Sequence, residues 1–139
     1  MGLNAIFLPG AKAPGSDYSS NDYCAVVISG AGPAVSLQTT EGGWVDGVIQ
    51  QVDSSDTAAG LSVVHRGECY AKIKANTTVT MGTHLTLMVS DAGDGTLEPH
   101  DASATKYHVA IPLEGCTAES GVSARIKVMV ISPTRDNAS

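Results

Sequence analysis

The sequence predicts an all-β domain, a small β-barrel or β-sandwich with an extended N-terminal arm. Three observations carry this expectation. Cys69, Ala71 and Ile73 alternate with Glu68, Tyr70, Lys72 and Lys74, the two-residue period of a strand with one face in a core and the other in water. Elsewhere, short β-branched runs are separated by Gly, Pro, Asn, Asp and Ser, and no segment sustains three turns of helical period. Residues 1–22 fit neither period and are rich in turn formers. The expected organisation is an arm over 1–22, a β domain over 23–132 and a polar C-terminal tail over 133–139.

In chain order, Pro9-Gly10, Pro14-Gly15-Ser16 and Ser19–Asp22 keep the arm irregular. Phe7, Leu8, Pro9, Tyr18 and Tyr23 stand among them as apolar anchors able to dock on a partner. Ala25–Ser29 is the first clear strand, ended by the turn at 30–33, and Ala34–Leu37 is a weaker one. Thr39–Gly43 is a loop. Trp44–Val52 reads as a strand with a bulge at Gly47, and 53–60 as a polar connection. Leu61–Lys74 is expected to form the central β-hairpin, turning at His65-Arg66-Gly67, where glycine accepts the positive φ of a tight turn.

Beyond it, Leu85–Val89 is a strand expected to show Leu85, Leu87 and Val89 on one face. Asp91–Gly95 has turn chemistry, Thr96–Glu98 is a short return strand and Asp101–Thr105 a loop. Tyr107–Leu113 is a strand with Pro112 near its end or at a sheet edge. Glu114–Ser123 is a connection. Arg125–Ile131 closes the fold, with Ile126, Val128 and Val130 alternating against Arg125, Lys127 and Met129.

At 139 residues with 42% hydrophobic content, the chain supports one aliphatic core, since it holds one Trp, one Phe and four Tyr. The net charge of −6 argues against nucleic acid and against an anionic membrane as partners. Residues 1–60 hold one lysine against six carboxylates, whereas the remainder is near balance. Cys24, Cys69 and Cys116 are odd in number and form no CxxC pair, the pattern of reduced thiols in a cytoplasmic product. No apolar run reaches the roughly 18 residues of a membrane span. The N-terminus lacks the basic region of a secretory signal, and Ile6 stands where myristoylation wants Ser or Thr.

The motifs that carry chemistry are weak. Asp91–Gly95 has the composition of a calcium loop, but Glu98 lies too near to act as its distal ligand, so an Asp/Gly turn is expected. His65, His84, His100 and His108 are dispersed without metal-ligand spacing, and no cofactor or metal is expected. No catalytic motif or local Cys/His signature marks a nucleophile, so no catalytic residue is assigned. Trp44 is expected as a core anchor or as an exposed contact residue.

From Trp44 onward the order of motifs resembles the small capsid decoration (cement) proteins of tailed phages. The matching pieces are Val45–Ile49, Gly60–Ile73, Val79–Leu85, Gly95–Leu97, Val109–Glu114 and Ala124–Val130. Gly82-Thr83 stands where such proteins show Gly-Asp, and Ile111-Pro112-Leu113-Glu114 replaces a plainer Ala-Leu-Glu. The resemblance covers roughly residues 25–131.

It implies a non-enzymatic β domain made in the host cytoplasm and placed on the outer capsid surface of the virion. There it would act as a homotrimer that clamps neighbouring copies of the major capsid protein, with the arm lying over the capsid. Phe7, Leu8, Pro9, Tyr18, Tyr23 and Trp44 are the expected capsid contacts. A carbohydrate- or host-surface-binding β module displayed on a virion is the alternative, and it would need more exposed aromatics than this composition supplies.

Overall fold

The computed structural model describes residues 5–13, 16–29, 34–51 and 60–136, and among them the fold is all-β with eleven strands and no helix. The turn expected at 30–33, most of the connection expected over 53–60 and the last three residues of the tail lie outside the described residues.

The fold is organised around a single twelve-residue strand, β5 (Ser62–Ile73). The hairpin expected within this stretch is not formed. Gly67 does take a positive φ of 105°, but inside a continuous strand, because partners from distant parts of the chain hold both halves in line. Strand β11 (Ala124–Thr134) pairs antiparallel with the second half, from Ala124 opposite Ile73 to Val130 opposite Gly67. The first half pairs with β1 (Ile6–Phe7) and with β4 (Gly47–Gln51). Strand β4 also pairs with β2 (Ala25–Ile28), which in turn pairs with β3 (Val35–Leu37).

Side chains alternate across a strand, and here both faces of the first layer are covered. Ala25, Val48 and Val64 join the main core, together with Cys69, Ala71, Ile73, Ile126, Val128 and Val130. Their chain neighbours Val26, Ile49 and Val63 point into a second cluster, closed by Ala11 and Ala13 of the arm with Leu8 and Tyr18 packed against it. The arm is therefore extended, as expected, and also packed on its own domain. The Leu8 N–H donates to the Val63 carbonyl at 2.9 Å, Leu61 N–H to Ala11 O at 2.7 Å and Val35 N–H to Lys12 O at 2.8 Å.

The second layer continues from β11 to β9 (His108–Pro112), then to β7 (Leu87–Val89) and β8 (Leu97–Pro99). Strand β8 returns to β5 through one parallel pair, Leu97 with Ile73, so the layer is barrel-like with a seam rather than fully closed. Strands β6 (Thr78–Val79) and β10 (Cys116–Thr117) form a separate pair, the second within the stretch expected to be a connection.

Several details differ from expectation. Leu85 is 71% exposed and precedes β7, whose three residues are all buried, so it does not share a face with Leu87 and Val89. Gly47 opens β4, and the register irregularity lies between Ile49 and Gln51. Glycine is required at 47 for space: a Cβ there would sit 2.5 Å from Val63 Cγ1 and 2.8 Å from the Val64 carbonyl oxygen. Strand β11 runs to Thr134, through the start of the expected tail, and Pro133 is buried. Pro112 closes β9 opposite Val128, in keeping with its expected place at a strand end.

Candidate functional site

The anchors expected from sequence fall into three settings. The first is the arm. Phe7 is 37% exposed and its neighbour Ile6 is 60% exposed, while Pro9 is also exposed and Leu8 turns inward. Pairing with β5 fixes this segment by its backbone, which leaves the apolar side chains of Ile6 and Phe7 at the surface.

The second setting is the junction between arm and domain, where the anchors serve the fold. The Tyr18 hydroxyl accepts the Leu37 N–H at 3.0 Å. Tyr23 sits at φ 65°, with its N–H on the Ile49 carbonyl and its own carbonyl accepting the Lys72 N–H at 2.8 Å. Its ring meets Tyr70 edge-on, and the Arg125 guanidinium lies 5.1 Å and 4.8 Å from the two ring centres. Lys72 extends to Asp22 at 3.0 Å. Tyr70 and Lys72 on the polar face of β5 thus meet the end of the arm.

The third setting is Trp44, which is 42% exposed. Its indole meets the Tyr107 ring edge-on at 5.3 Å, and Nε1 donates to Asp46 Oδ1 at 2.9 Å. Arg135 stacks over Tyr107 at 4.8 Å. The Asp46 carbonyl lies 2.6 Å from His65 Nδ1, and since a carbonyl only accepts, that nitrogen carries the proton. Arg66 donates to the His65 carbonyl at 2.6 Å and pairs across the ladder with Ile6. Burial pushes its guanidinium down from the usual value, against the opposing effect of Asp46. The structure therefore links Trp44 to the exposed Ile6–Phe7 segment of the arm through Asp46, His65 and Arg66. Sequence reasoning missed Tyr107, Arg135 and Arg66, whose roles come from pairing between strands far apart in the chain.

A second constellation went unseen for the same reason. His100, His108 and Asp136 each offer a ligand atom, and these atoms lie within 4.8 Å of one another. The loop from 101 to 106 folds back, so the two imidazoles stack with centres 3.6 Å apart and planes 16° apart. That loop is pinned by Lys106, which reaches Glu41 at 2.9 Å and also pairs with Asp101. The Asp101 partnership, more than Glu41, pushes the ammonium above its ordinary value. His100 Nε2 lies 2.9 Å from the Lys106 carbonyl and its Nδ1 accepts the Ala102 N–H at 3.0 Å. His108 Nδ1 is 2.6 Å from Thr86 Oγ1, and its Nε2 is 3.0 Å from Asp136 Oδ1. A cavity of about 250 Å³ opens here, lined by residues 83–86 with His100, Ala102, His108 and Asp136.

The cysteines are all unpaired. Burial raises the Cys24 thiol to about 11 and that of Cys69 to about 12, which keeps both protonated at neutral pH and poor as nucleophiles. Cys116 is half-buried and shifted upward for the same reason.

The chain matches no protein-family model and no curated protein sequence.

Proposed function

We propose that this protein is a capsid decoration protein that binds the outer surface of a tailed-phage head and stabilises it by bridging major capsid subunits. It does so without catalysis and as a homotrimer. The observation that carries this reading is the arm. Its backbone is fastened to β5 and its small residues Ala11 and Ala13 are buried, yet Ile6, Phe7 and Pro9 remain outward. Apolar side chains held at the surface on a fixed extended segment are contact groups for a partner. The exposed Trp44, joined to them through Asp46 and Arg66, extends the same surface.

The sequence resemblance to decoration proteins supports the capsid as that partner. An acidic protein with few exposed aromatics gains affinity there by repetition: each contact is modest, and linked copies raise the effective concentration. Trp44 beside Tyr107 is the feature that would serve the second reading, a carbohydrate-binding module.

The test is co-sedimentation with expanded heads of the phage that encodes the protein. A double variant, Ile6→Asp with Phe7→Asp, changes exposed side chains and leaves Ala11 and Ala13 in place. The native protein is expected to pellet with heads and the variant to remain in solution. Equal pelleting of both would remove the arm from the interface. Failure of the native protein to pellet, together with hits on a glycan array, would replace capsid binding with the carbohydrate reading.

A further inference from the structure

We propose that His100, His108 and Asp136 form a binding site for a borderline divalent transition-metal cation of the zinc or nickel class. Two imidazole nitrogens and one carboxylate oxygen are a donor set suited to such ions, and three protein ligands with a fourth position left to water is a common arrangement for zinc. The cavity of about 250 Å³ beside the cluster gives water that fourth position.

Two donor atoms bound to tetrahedral zinc at about 2.0–2.1 Å lie about 3.4 Å apart, and the three ligand atoms here already lie within 4.8 Å of one another. The rings are now stacked 3.6 Å apart and within 16° of parallel, so coordination requires the ring centres to splay apart as the rings tilt toward the ion. The outermost ligand atoms, within 4.8 Å of one another, must close by up to about 1.4 Å, and Asp136, whose side chain is 55% exposed, is placed to swing inward.

Second contacts already orient the ligands. Asp136 Oδ1, 3.0 Å from His108 Nε2, can only accept, so Nε2 carries the proton here and Nδ1 accepts from the Thr86 hydroxyl at 2.6 Å. An ion on Nε2 would displace that proton and leave Nδ1–H to donate to Thr86 Oγ1. His100 is held on both nitrogens, so binding costs one of those bonds. The bond from the exposed Ala102 N–H is the cheaper to lose, because water replaces it, and Nε2–H then stays on the Lys106 carbonyl. Imidazoles anchored on their far nitrogen by a hydroxyl or a backbone carbonyl are the usual surroundings of a metal ligand. The site also joins two separate parts of the chain, the loop that begins at His100 and the segment just beyond β11 that holds Asp136. A bound ion would fasten the C-terminal segment to the barrel-like layer.

The test uses the full chain and zinc chloride in a non-chelating buffer, read by isothermal titration calorimetry and by imidazole nitrogen chemical shifts. One zinc per chain is expected, with shifts confined to His100 and His108 and a melting temperature that rises with zinc concentration. His108→Ala and His100→Ala should each weaken binding by at least about tenfold, and His65→Ala should leave it unchanged. Asp136→Asn keeps the exposed side chain's shape and should also weaken binding, which preserves the test should a histidine variant fail to fold. Absence of saturable binding would overturn the proposal, as would binding of full strength in Asp136→Asn and His108→Ala.

Discussion

Gln50 stands in for a strand beside Tyr70. Its side-chain Oε1 accepts the Tyr70 N–H at 3.0 Å, and its Nε2 donates to the Tyr70 carbonyl at 2.8 Å. Strand β4 pairs with β5 only as far as Ser62 to Val64, and this amide satisfies the ladder where it would otherwise be bare. Gln50→Ala leaves both backbone groups of a half-buried residue without their partner, which should cost about 1–3 kcal/mol. Gln50→Glu should also destabilise, since a carboxylate can accept from the N–H but faces the carbonyl with no proton to give. Urea unfolding checks both, as a lower midpoint at unchanged slope.

The arm is expected to behave as part of the core. Ile49→Ala opens a cavity under Ala11 and Ala13 and should cost about 2–5 kcal/mol. Removing residues 1–13 should destabilise too, and the two changes should be less than additive, because each destroys the same packing. A double-mutant cycle measured by denaturant unfolding reads that coupling. Strict additivity would mean that the arm does not cover Ile49.

Much of the second layer was legible in the sequence, because its strands keep one face in the core. Ile126, Val128 and Val130 alternate with Arg125, Lys127 and Met129, and Cys69, Ala71 and Ile73 alternate in the same way; all six apolar residues are buried. The strands of the first layer were legible too, but the cover on their second face went unread for a physical reason. Ala25-Val26, Val48-Ile49 and Val63-Val64 are apolar doublets, and a two-residue period sends the members of each doublet to opposite faces. Both faces are therefore covered, one of them by the arm, and those doublets were the trace of it in the sequence. The hairpin was misplaced because Gly67 satisfies a turn and a strand equally well. Only β11, paired from far along the chain, decides between them. The meeting of His100, His108 and Asp136 likewise follows from a folded-back loop and the length of β11, and no local spacing encodes it.

Stability should fall on the alkaline side through the buried thiols. The Cys24 thiol is raised by burial from 9.0 to about 11 and that of Cys69 to about 12, whereas both ionise near the ordinary value once unfolded. Above pH 9 the unfolded chain thus holds fewer protons than the folded one, and stability declines as pH rises through that window. Each thiol contributes up to about 1.4 kcal/mol per pH unit. Denaturant midpoints measured from neutral pH upward should show the decline, and replacing both residues with Ala should flatten it. In native protein the half-buried Cys116 should react first with a thiol reagent, ahead of Cys24 and Cys69.

The central claim is that the exposed Ile6 and Phe7 of the arm and Trp44 face a capsid. Electron cryo-microscopy of expanded heads incubated with the protein tests it most directly. Density is expected on the outer face, in groups of three, with Ile6, Phe7 and Trp44 turned toward the major capsid subunits. Bare heads at saturating protein, or bound copies with those residues facing solvent, would contradict it.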